Sequence, residues 1–600
     1  MKPTNIKDPE YFHKVVDCQH ACPAHTPVPE YIRLIAEGRY TEAYMINWDS
    51  NVFPGVLGRT CDRPCEPACR RGRVEEEPVA ICRLKRVAAD NKDSDVKDMM
   101  PKGPFKPNGK KIALIGGGPA SLTVARDLAP LGYELHLFDE QKKGGGFMRS
   151  QIPSFRLPET VLDEEVNYVL DLGIHTHFNQ FVSSLKEVLS KDYDAVFVGT
   201  GAPRGRDLPD LEGRKEGDAN IHIGINWLAS VAFEHTKSIG RRVIVLGGGN
   251  TAMDCCRTAR RLGGEDVKVI VRSPFAEMKA SPWEKEDAIH EDIPIIDNHV
   301  PKSFVIKDGK LCGMTFEKVK PEYDENGKRR LVPVGGEDIF FEADDVLVAI
   351  GQENSFPWIE RDLGVEFDKW EMPVVNESTF QSTNPRVFFG GDAAFGPKNV
   401  ITAVAHGHQA AISIDLMCSG KNVADDRPSP FVNLLSQKMG IHEWAYDNQV
   451  TTDIRYVVPQ ADKKETLRDR RREVELGFDR LTGFKEAERC LNCDVQTVFT
   501  ETKCIECDAC VDICPTSCIT FTANGEETDL RTRLKVPAKN VTQDLYVSDV
   551  LPTTRVMVKD EDVCLHCGLC AERCPTAAWD MQKFFYNVAK TCSGTIKITR

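Results

Sequence analysis

Residues 111–121 read Lys-Ile-Ala-Leu-Ile-Gly-Gly-Gly-Pro-Ala-Ser, and this stretch decides the fold. Its apolar part, Ile112–Ile115, predicts a strand that runs into a glycine loop, and a helical pattern follows the loop. A second strand, Glu134–Phe138, ends on Asp139, 23 residues after Gly116. This order of elements is typical of a dinucleotide-binding βαβ unit.

Each part of this loop has a physical role in binding a dinucleotide. Gly116 permits the tight turn, and Gly118 lets the backbone approach a pyrophosphate. The helix that begins at Pro119 and Ala120 then faces the phosphates with its free N–H groups. Asp139 is placed to hold a ribose hydroxyl. The sequence therefore predicts a first dinucleotide at these residues.

The same pattern occurs a second time at residues 242–254, which read Arg-Val-Ile-Val-Leu-Gly-Gly-Gly-Asn-Thr-Ala-Met-Asp. Two such units predict two dinucleotides, and the usual pair is FAD with a nicotinamide nucleotide. The candidate contacts in the second loop are Gly247, Gly249, Asn250 and Thr251. The next strand, Val267–Val271, ends on Arg272, which can pair with a 2′-phosphate, whereas an acid would bind the ribose of NAD. The sequence therefore favours NADP and leaves NAD open.

Later segments supply further candidates for the FAD site. An aspartate after a strand-end Gly-Gly, such as Asp392, can bind a ribityl hydroxyl, and a helix beginning near Asn399 can stabilise negative charge on the reduced ring. Val400 lies at the start of the same helix, and Arg156 is a cation on a loop. The remaining candidates are glycines: Gly145, Gly146, Gly201, Gly351 and Gly391. No cysteine pair flanks these loops at the spacing of a disulfide reductase, so we do not expect the flavin to reduce a disulfide.

The last hundred residues carry the most specific metal motif. They contain two runs of the form Cys-x2-Cys-x2-Cys-x3-Cys-Pro. This is the two-cluster bacterial ferredoxin pattern, in which the fourth cysteine of each run ligates the other cluster. One 4Fe–4S cluster is therefore predicted on Cys504, Cys507, Cys510 and Cys574, and the other on Cys564, Cys567, Cys570 and Cys514.

Eight further cysteines form looser groups. They are Cys18, Cys22, Cys61, Cys65, Cys69, Cys82, Cys490 and Cys493. Thiolates bunched in this way suit iron–sulfur ligation, which takes four ligands per cluster, and zinc is the competing interpretation. The Cys-x2-Cys pair at 490–493 is half a site and needs ligands from elsewhere. The other six cysteines, interpreted as buried or idle thiols, are Cys255, Cys256, Cys312, Cys418, Cys518 and Cys592.

Composition narrows the class of protein. A length of 600 residues suggests about three to five domains, and a net charge of −14 argues against nucleic acid as a partner. No apolar run approaches the roughly 18 residues that a membrane span needs. The first thirteen residues do not resemble a signal peptide. We therefore expect a cytoplasmic protein whose clustered cysteines bind metal rather than form disulfides.

Four motifs, taken in order, resemble one known family. They are the loop at 116–120, Ile152–Pro158, Gly247–Asp254 and Gly390–Asp392. Together they are similar to the glutamate synthase small-subunit flavoproteins and to the flavin half of dihydropyrimidine dehydrogenase. The resemblance covers about residues 10–493, and the rest of the chain resembles an appended ferredoxin domain.

The resemblance also implies how the looser cysteines are shared out. In that family an N-terminal helical domain holds two 4Fe–4S clusters, one of which uses a Glu-Ala-x-Arg-Cys-x2-Cys motif placed before the other ligands. Here the matching piece, Glu486–Cys493, follows the flavin domain, which implies a permuted arrangement. One cluster would then use Cys18, Cys69, Cys490 and Cys493. The other would use Cys22, Cys61 and Cys65, with Cys82 as the candidate fourth ligand because Lys85, at the family's position, is a poor ligand.

These inferences predict an α/β multidomain chain carrying four clusters. The expected domains are a helical iron–sulfur domain at 1–105, an FAD domain at 110–225 and 345–420, an NAD(P) domain at 226–344, a connector at 421–495 and a ferredoxin-like α+β domain at 496–600. The two nucleotide domains are expected to be Rossmann-like. The connector is too short for the barrel in which dihydropyrimidine dehydrogenase reduces pyrimidines, so no organic substrate site is expected.

The function implied is electron transfer between NAD(P)(H) and a low-potential iron–sulfur partner. No catalytic side chain is predicted, because hydride transfer takes place on FAD. The resemblance implies a subunit that reduces NAD(P) in a complex such as a thiamine-dependent 2-oxoacid:acceptor oxidoreductase. The alternatives are a stand-alone NAD(P)H:ferredoxin oxidoreductase, with or without bifurcation, a glutamate-synthase-type electron donor, and a non-enzymatic electron-storage or assembly module.

Overall fold

The computed structural model describes residues 2–8, 10–11, 15–75, 77–436, 451–588 and 591, so Cys592 lies outside the described residues. The chain divides into two compact units. The first, here called the cysteine unit, comprises Met1–Met100, Arg427–Val458 and Gly477–Arg600. The second, here called the nucleotide unit, comprises Pro101–Asp426 and Pro459–Leu476.

The first sheet of the nucleotide unit has five parallel strands. Their order across the sheet is Val387–Phe389, Ala195–Val198, Lys111–Ile115, Glu134–Asp139 and His175–Phe178. The central strands are apolar and buried, as expected of a parallel sheet covered on both faces. The strand Lys111–Ile115 is followed by a helix, Pro119–Leu128, so the predicted βαβ unit is present.

The second sheet of the nucleotide unit is also parallel and has five strands. Their order is Ile221–Ile223, Asp345–Val348, Arg242–Leu246, Asp266–Ile270 and Ile295–Ile296. Asn250–Arg261 is the helix that follows the second glycine loop. A buried apolar cluster that includes Val245, Met253 and Val269 fills one face of this sheet.

Two strands lie in a different sheet from the one that the sequence suggests. Asp345–Val348, expected in the FAD domain, pairs with the strand Arg242–Leu246, and Leu347 lies opposite Val245. Ile221–Ile223, also expected there, pairs with Asp345–Val348. All four residues of Asp345–Val348 are buried, and an apolar strand of this kind fits the middle of either parallel sheet, so its composition does not select one.

The nucleotide unit also has an antiparallel layer and further helices. The antiparallel sheet contains His299–Lys307, Lys310–Tyr323, Arg329–Pro333 and Ile339–Glu342. A short two-stranded pair joins Arg204–Gly205 to Gln352–Glu353. The remaining helices are Phe147–Ser150, Glu159–Leu170, Leu185–Ser190, Gly224–Ala232, Pro282–His290, Asp392–Phe395, Val400–Cys418 and Lys463–Arg468.

The first hundred residues of the cysteine unit are helical, as the sequence predicts. The helices are Asp17–Ala21, Val28–Ala36, Tyr40–Asn51, Pro54–Thr60, Arg71–Val74 and Ile81–Asn91. Two of them, Val28–Ala36 and Pro54–Thr60, have proline in the first turn, where its missing N–H costs no hydrogen bond. Cysteines lie at helix ends, as Cys22 and Cys61 do, so each thiol is carried by a rigid element next to a turn.

The C-terminal part of the cysteine unit contains two small antiparallel sheets. One has the order Phe431–Ser436, Trp579–Asn587 and Val495–Phe499, and the other has the order Ile519–Thr522, Val556–Lys559 and Tyr546–Val547. The helices of this part are Arg480–Ala487, Ala509–Ile513, Glu527–Arg531 and Leu569–Arg573. The short helices Ala509–Ile513 and Leu569–Arg573 carry the third cysteine of each ferredoxin run, Cys510 and Cys570.

The segment that ends in Cys490 and Cys493 lies against the N-terminal helices. Arg33 donates to both carboxylate oxygens of Asp494, at 2.7 and 2.5 Å. Glu486 accepts from the backbone N–H of Ala80 at 2.7 Å. The chain therefore returns to its beginning, as the permuted arrangement requires.

No helix among the described residues is long and apolar enough to cross a membrane.

Candidate functional site

The first glycine loop is closely packed and holds Asp139. A Cβ atom at Gly116 would lie 2.7 Å from the carbonyl oxygen of Gly199, so only glycine fits this turn. The Asp139 carboxylate accepts from the backbone N–H of Gly117 at 2.5 Å and of Gln141 at 2.7 Å. Burial raises the pKa of Asp139, and these two N–H groups oppose that rise. The carboxylate thus fixes the loop itself; the ribose contact stays a prediction.

The loop at 144–146 packs on this first glycine loop. Gly145 donates its N–H to the carbonyl of Gly117 at 2.8 Å. Gly146 has φ +51°, and a Cβ there would lie 2.8 Å from Gly118 Cα. At Gly118 itself the nearest protein atom to a Cβ would be the carbonyl oxygen of Gly199 at 3.6 Å, an ordinary van der Waals contact, so the approach of a pyrophosphate to this backbone stays a prediction. Pro119 and Ala120 begin the helix as predicted.

Several buried polar atoms near the candidate FAD residues have no partner among the described residues. Among the described residues, no hydrogen bond reaches Thr200 Oγ1, Asn354 Oδ1 or His406 Nδ1. Buried polar atoms of this kind are costly unless something satisfies them. They lie beside Gly201 and Asp392, since Thr200 precedes the former and Asn354 donates to the carbonyl of the latter. This set of donors and acceptors fits a flavin dinucleotide.

The predicted residues at 391–400 form the start of two helices. Asp392 accepts from the N–H of Lys398 at 2.9 Å, and burial raises its pKa. Asn399 caps the helix Val400–Cys418 by accepting from the N–H of Thr402 at 3.0 Å. Burial also lowers the pKa of nearby His406 to about 4, so this ring is neutral at physiological pH.

Arg156 is not a free cation. Its guanidinium donates to Asp254 Oδ1 at 2.6 Å and also contacts Glu284, and it is almost fully enclosed. Burial raises the pKa of Asp254 to about 6, and the charge of Arg156 opposes that rise. The carboxylates of Asp254 and Glu284 already neutralise the charge of Arg156. The contact between Arg156 and the cofactor stays a prediction.

The second glycine loop leaves one side open. Gly247 has φ +136°, and a Cβ there would lie 2.1 Å from the carbonyl oxygen of Ala349. Gly249 has no atom within 4 Å of such a Cβ. Asn250 accepts from the N–H of Ser281 at 2.8 Å, and Thr251 lies in the first turn of the helix. The open side at Gly249 fits the close approach of a pyrophosphate.

Two arginines lie near the end of the strand Asp266–Ile270. Arg272 is exposed at the strand end, as the sequence predicts. Arg329 comes from the antiparallel sheet, donates to Ser273 Oγ at 3.2 Å and pairs with Glu277 at 2.6 Å. Sequence reasoning missed Arg329 because it lies far from the motif along the chain. The contact of Arg272 with a 2′-phosphate stays a prediction.

Four cysteines from the two ends of the cysteine unit line one small cavity. They are Cys18, Cys69, Cys490 and Cys493. Apolar side chains such as Val28 and Ile81 complete its wall. Arg70 also lines it, and its Nη2 has no hydrogen-bond partner among the described residues although it is buried. Four thiols around a cavity that a buried arginine also lines fit an anionic iron–sulfur cluster.

A second group of buried thiols surrounds Lys85. The group consists of Cys22, Cys61, Cys65 and Cys82. Lys85 is buried, and negative charge on these four sulfurs raises its pKa against the opposing effect of burial. Cys82 Sγ lies 3.3 Å from the carbonyl oxygen of Leu57. Lys85 is thus placed as a counter-charge to the group, and Cys82 supplies its fourth sulfur.

The partition of the ferredoxin cysteines between two clusters stays a prediction, and the electrostatic interactions among their thiols are compatible with it. Cys504 interacts with Cys507 and Cys574, and Cys510 interacts with Cys504 and Cys574. Cys567 interacts with Cys564 and Cys514, whereas Cys570 interacts with Cys564 and also with Cys510 of the other group. Cys507 is exposed, whereas Cys514, Cys564 and Cys570 are buried.

One thiol near the second ferredoxin group was interpreted from sequence as idle. Cys518 Sγ lies 3.4 Å from Cys514 Sγ, and its hydrogen bond helps to lower the pKa of Cys514 to about 6. Because Cys518 lies four residues after the predicted ligand Cys514, the spacing could have indicated that its thiol lies beside that ligand. By contrast, Cys255 and Cys256 are buried in an apolar cluster, and burial raises their pKa values, which fits the packing role expected of them.

Three protein families match successive parts of the chain. The pyridine nucleotide-disulphide oxidoreductase family matches residues 110–407, dihydropyrimidine dehydrogenase domain II with its 4Fe-4S cluster matches 13–96, and the 4Fe-4S dicluster domain matches 503–578. These matches confirm the predicted fold class.

Several characterised proteins are similar over most of their length. NADP(+)-dependent formate dehydrogenase subunit beta of Moorella thermoacetica is 36% identical over 79% of this chain and 70% of its own. NADPH-Fe(3+) oxidoreductase subunit beta of Geobacter sulfurreducens is 31% identical over 82% and 77%. The glutamate synthase [NADPH] small chain of Escherichia coli is 32% identical over 66% and 87%. Among solved structures, T. acidophilum thioredoxin reductase aligns with a TM-score of 0.40 and 18% identity, over 51% of this chain and 98% of its own.

Proposed function

Because this chain belongs to the family of FAD- and iron–sulfur-dependent oxidoreductases that includes the glutamate synthase small chain and NADP(+)-dependent formate dehydrogenase subunit beta, we propose that it is the NADP(H)-linked electron-transfer subunit of a dehydrogenase complex. Its cofactors are FAD, a nicotinamide nucleotide and 4Fe–4S clusters. FAD supplies the conversion between a hydride and two single electrons. The chain's own residues bind, orient and bury these groups.

One observation carries the proposal. Cys490 and Cys493 line one cavity together with Cys18 and Cys69, and all sixteen cysteines predicted to hold four clusters belong to a single unit. The four one-electron sites predicted for this chain are more than a flavin reductase needs for its own turnover. They fit a chain that passes electrons to or from another protein.

In the nucleotide unit, the glycine loops would hold the two dinucleotides and the helix N-termini would face their phosphates. Asp392 and the helix capped by Asn399 would orient the flavin. In the cysteine unit, Arg70 and Lys85 supply positive charge beside two groups of thiolates. No side chain is assigned an acid–base role, since hydride transfer needs none.

The partner is proposed to be the substrate-oxidising subunit of the complex. The relative from Moorella is named for formate, and the resemblance to 2-oxoacid oxidoreductases names a second donor class. An affinity-tagged chain should be purified anaerobically from its own cells and the co-purifying fraction assayed with NADP⁺ and either formate or a 2-oxoacid. We expect one donor to yield NADPH, and only while this chain is present.

The alternatives give different results in the same assay. Turnover with NADPH and free ferredoxin, without any other subunit, would support the stand-alone oxidoreductase. A partner that reduces NADP⁺ equally well after this chain is removed would contradict the proposal. Failure of both NADPH and NADH to bleach the bound flavin would support the storage module instead.

Replacing Arg272 with glutamate should weaken NADPH binding far more than NADH binding. The change removes a charge-assisted hydrogen bond and adds repulsion toward the 2′-phosphate, together about 2–3 kcal/mol, or roughly 30- to 150-fold. Dissociation constants measured by flavin bleaching under anaerobic conditions test this.

The matched control is Lys279→Glu, an exposed charge change in the same unit, which should leave the NADPH/NADH preference unchanged. An equal loss for both nucleotides in the Arg272 variant would remove its assignment. A preference that changes only in Arg329→Glu would transfer the role to Arg329.

A further inference from the structure

Two of the cysteine groups are joined by a buried arginine. Arg70 is only 2% exposed and directly follows Cys69 in the chain. Cys69 is one of the four cysteines that line the cavity, here called the cavity group: Cys18, Cys69, Cys490 and Cys493. Its Nη1 donates to the carbonyl oxygen of Cys564 at 2.8 Å and also contacts the carbonyl of Glu561. Cys564 belongs to the second ferredoxin group. Arg70 is therefore joined to the cavity group through its peptide bond to Cys69, and to the second ferredoxin group, here called the Cys564 group, through its side-chain hydrogen bond to Cys564.

A histidine makes an independent connection between the same two groups. His566 is fully buried, and its backbone N–H donates to Cys564 Sγ at 3.4 Å. Its ring Nδ1 lies 3.0 Å from the carbonyl oxygen of Cys493. A carbonyl oxygen can only accept, so Nδ1 carries the hydrogen. The path from Cys564 to Cys493 thus consists of two hydrogen bonds and one residue.

Other buried charges hold these two side chains in place. Asp17 accepts from Arg70 at 2.6 Å. Glu561 lies 3.4 Å from His566 Nε2 and pairs with Lys559 at 2.7 Å. Burying this many charged groups is costly unless each is matched, so the contact is specifically built rather than incidental. Arg70 itself lines the cavity, and its Nη2 has no partner among the described residues.

We propose that Arg70 and His566 are positioning residues that make the cavity group and the Cys564 group neighbours in the electron path and tune both potentials together. The inference rests on the proposed cluster ligation. Positive charge and N–H donors favour the reduced, more negative form of a cluster, so both residues raise the potentials of this pair. The other ferredoxin group, with exposed Cys507, is then the outer site that meets the partner.

The test is a redox titration of the full, cluster-loaded chain, followed by EPR, with dithionite and mediators and without nicotinamide. Arg70→Met and His566→Leu should each shift the midpoint potentials of the same two clusters to more negative values. Single-ligand variants, Cys507→Ala and Cys61→Ala, identify the signals of the other two clusters, which should not shift. His222→Leu, a histidine in the nucleotide unit, is the matched control and should change no cluster potential.

The conservative variants separate tuning from folding. Arg70→Lys keeps the charge, and His566→Gln keeps an N–H donor toward Cys493. Both variants should therefore have midpoint potentials close to those of the unaltered chain while retaining all clusters. Unchanged potentials in fully loaded Arg70→Met and His566→Leu variants would overturn only the proposed tuning by these two residues. A chain that loads no cluster on the cavity group would overturn both the proposed ligation and the proposed tuning. Failure of the NADP-linked assay would contradict the proposed function without affecting this titration.

Discussion

Replacing Cys490 with alanine is expected to lower the iron content of the anaerobically purified chain from about sixteen to about twelve atoms, with an equal loss of sulfide. Cys490 is one of four thiols around the cavity, and among the described residues no other cysteine lines the cavity to replace it as the fourth cysteine ligand of a 4Fe–4S cluster. Electron transfer through the chain should fall by orders of magnitude if this cluster lies on the path.

The fold itself should tolerate this change. The segment around Cys490 is held by the ion pair between Arg33 and Asp494 and by the hydrogen bond from Ala80 to Glu486, neither of which uses the thiol. Arg489 is fully buried and donates to the carbonyl of Pro78 at 3.1 Å. FAD content and circular dichroism should therefore match the unaltered chain.

Cys255→Ala is the matched control. Cys255 is fully buried in the apolar core of the nucleotide unit, away from the predicted cluster ligands, so its loss should remove no iron. An unchanged iron content in Cys490→Ala would refute the permuted ligation. A starting content of about eight would mean that only the ferredoxin cysteines hold clusters.

The same iron measurement decides the fourth ligand of the group around Lys85. If Cys82 is a ligand, Cys82→Ala should lose about four irons, whereas Lys85→Met should retain them. The opposite outcome would show that the thiol of Cys82 serves packing, through its contact with the Leu57 carbonyl.

The glycine loops were predictable because their chemistry is local. Gly116 and Gly247 both need a positive φ and a close backbone neighbour, and such needs leave glycine in the sequence. The ferredoxin motif was predictable for the same reason, since its spacing is set by one short helix per run. The match of residues 503–578 to a dicluster domain confirms that domain.

Features that depend on distant partners were not predictable in the same way. The sequence shows Arg156 as a free cation, but its partners Asp254 and Glu284 come from other motifs. The strand Asp345–Val348 is apolar on both faces, so nothing local selects its sheet. Arg70 and His566 were missed because each is ordinary alone and acquires a role only when two chain ends meet.

Valine at Gly249 is expected to weaken nicotinamide binding while leaving the protein folded and FAD-loaded. A Cβ at this position meets no protein atom within 4 Å, and the φ of −103° suits any residue, so the unliganded loop should accept the change. The added methyl groups would occupy the space where a pyrophosphate must approach the backbone. A steric conflict of about 1–3 kcal/mol corresponds to roughly 5- to 150-fold weaker binding.

The position of Gly249 separates binding from stability in a way that Gly247 does not. A side chain at Gly247 would strike the Ala349 carbonyl at 2.1 Å and adopt a disfavoured φ, so Gly247→Val should lower the melting temperature as well. Gly327→Val is a control for backbone strain alone, because it lies in an exposed turn with φ +73° and no atom within 4 Å of a Cβ. It should lower the melting temperature without changing NADPH binding. NADPH titration of flavin bleaching and thermal melting should be measured on all three variants. If Gly249→Val binds NADPH with unaltered affinity, the open side of this loop does not face the nucleotide, and the assignment of the second βαβ unit to NADP(H) fails.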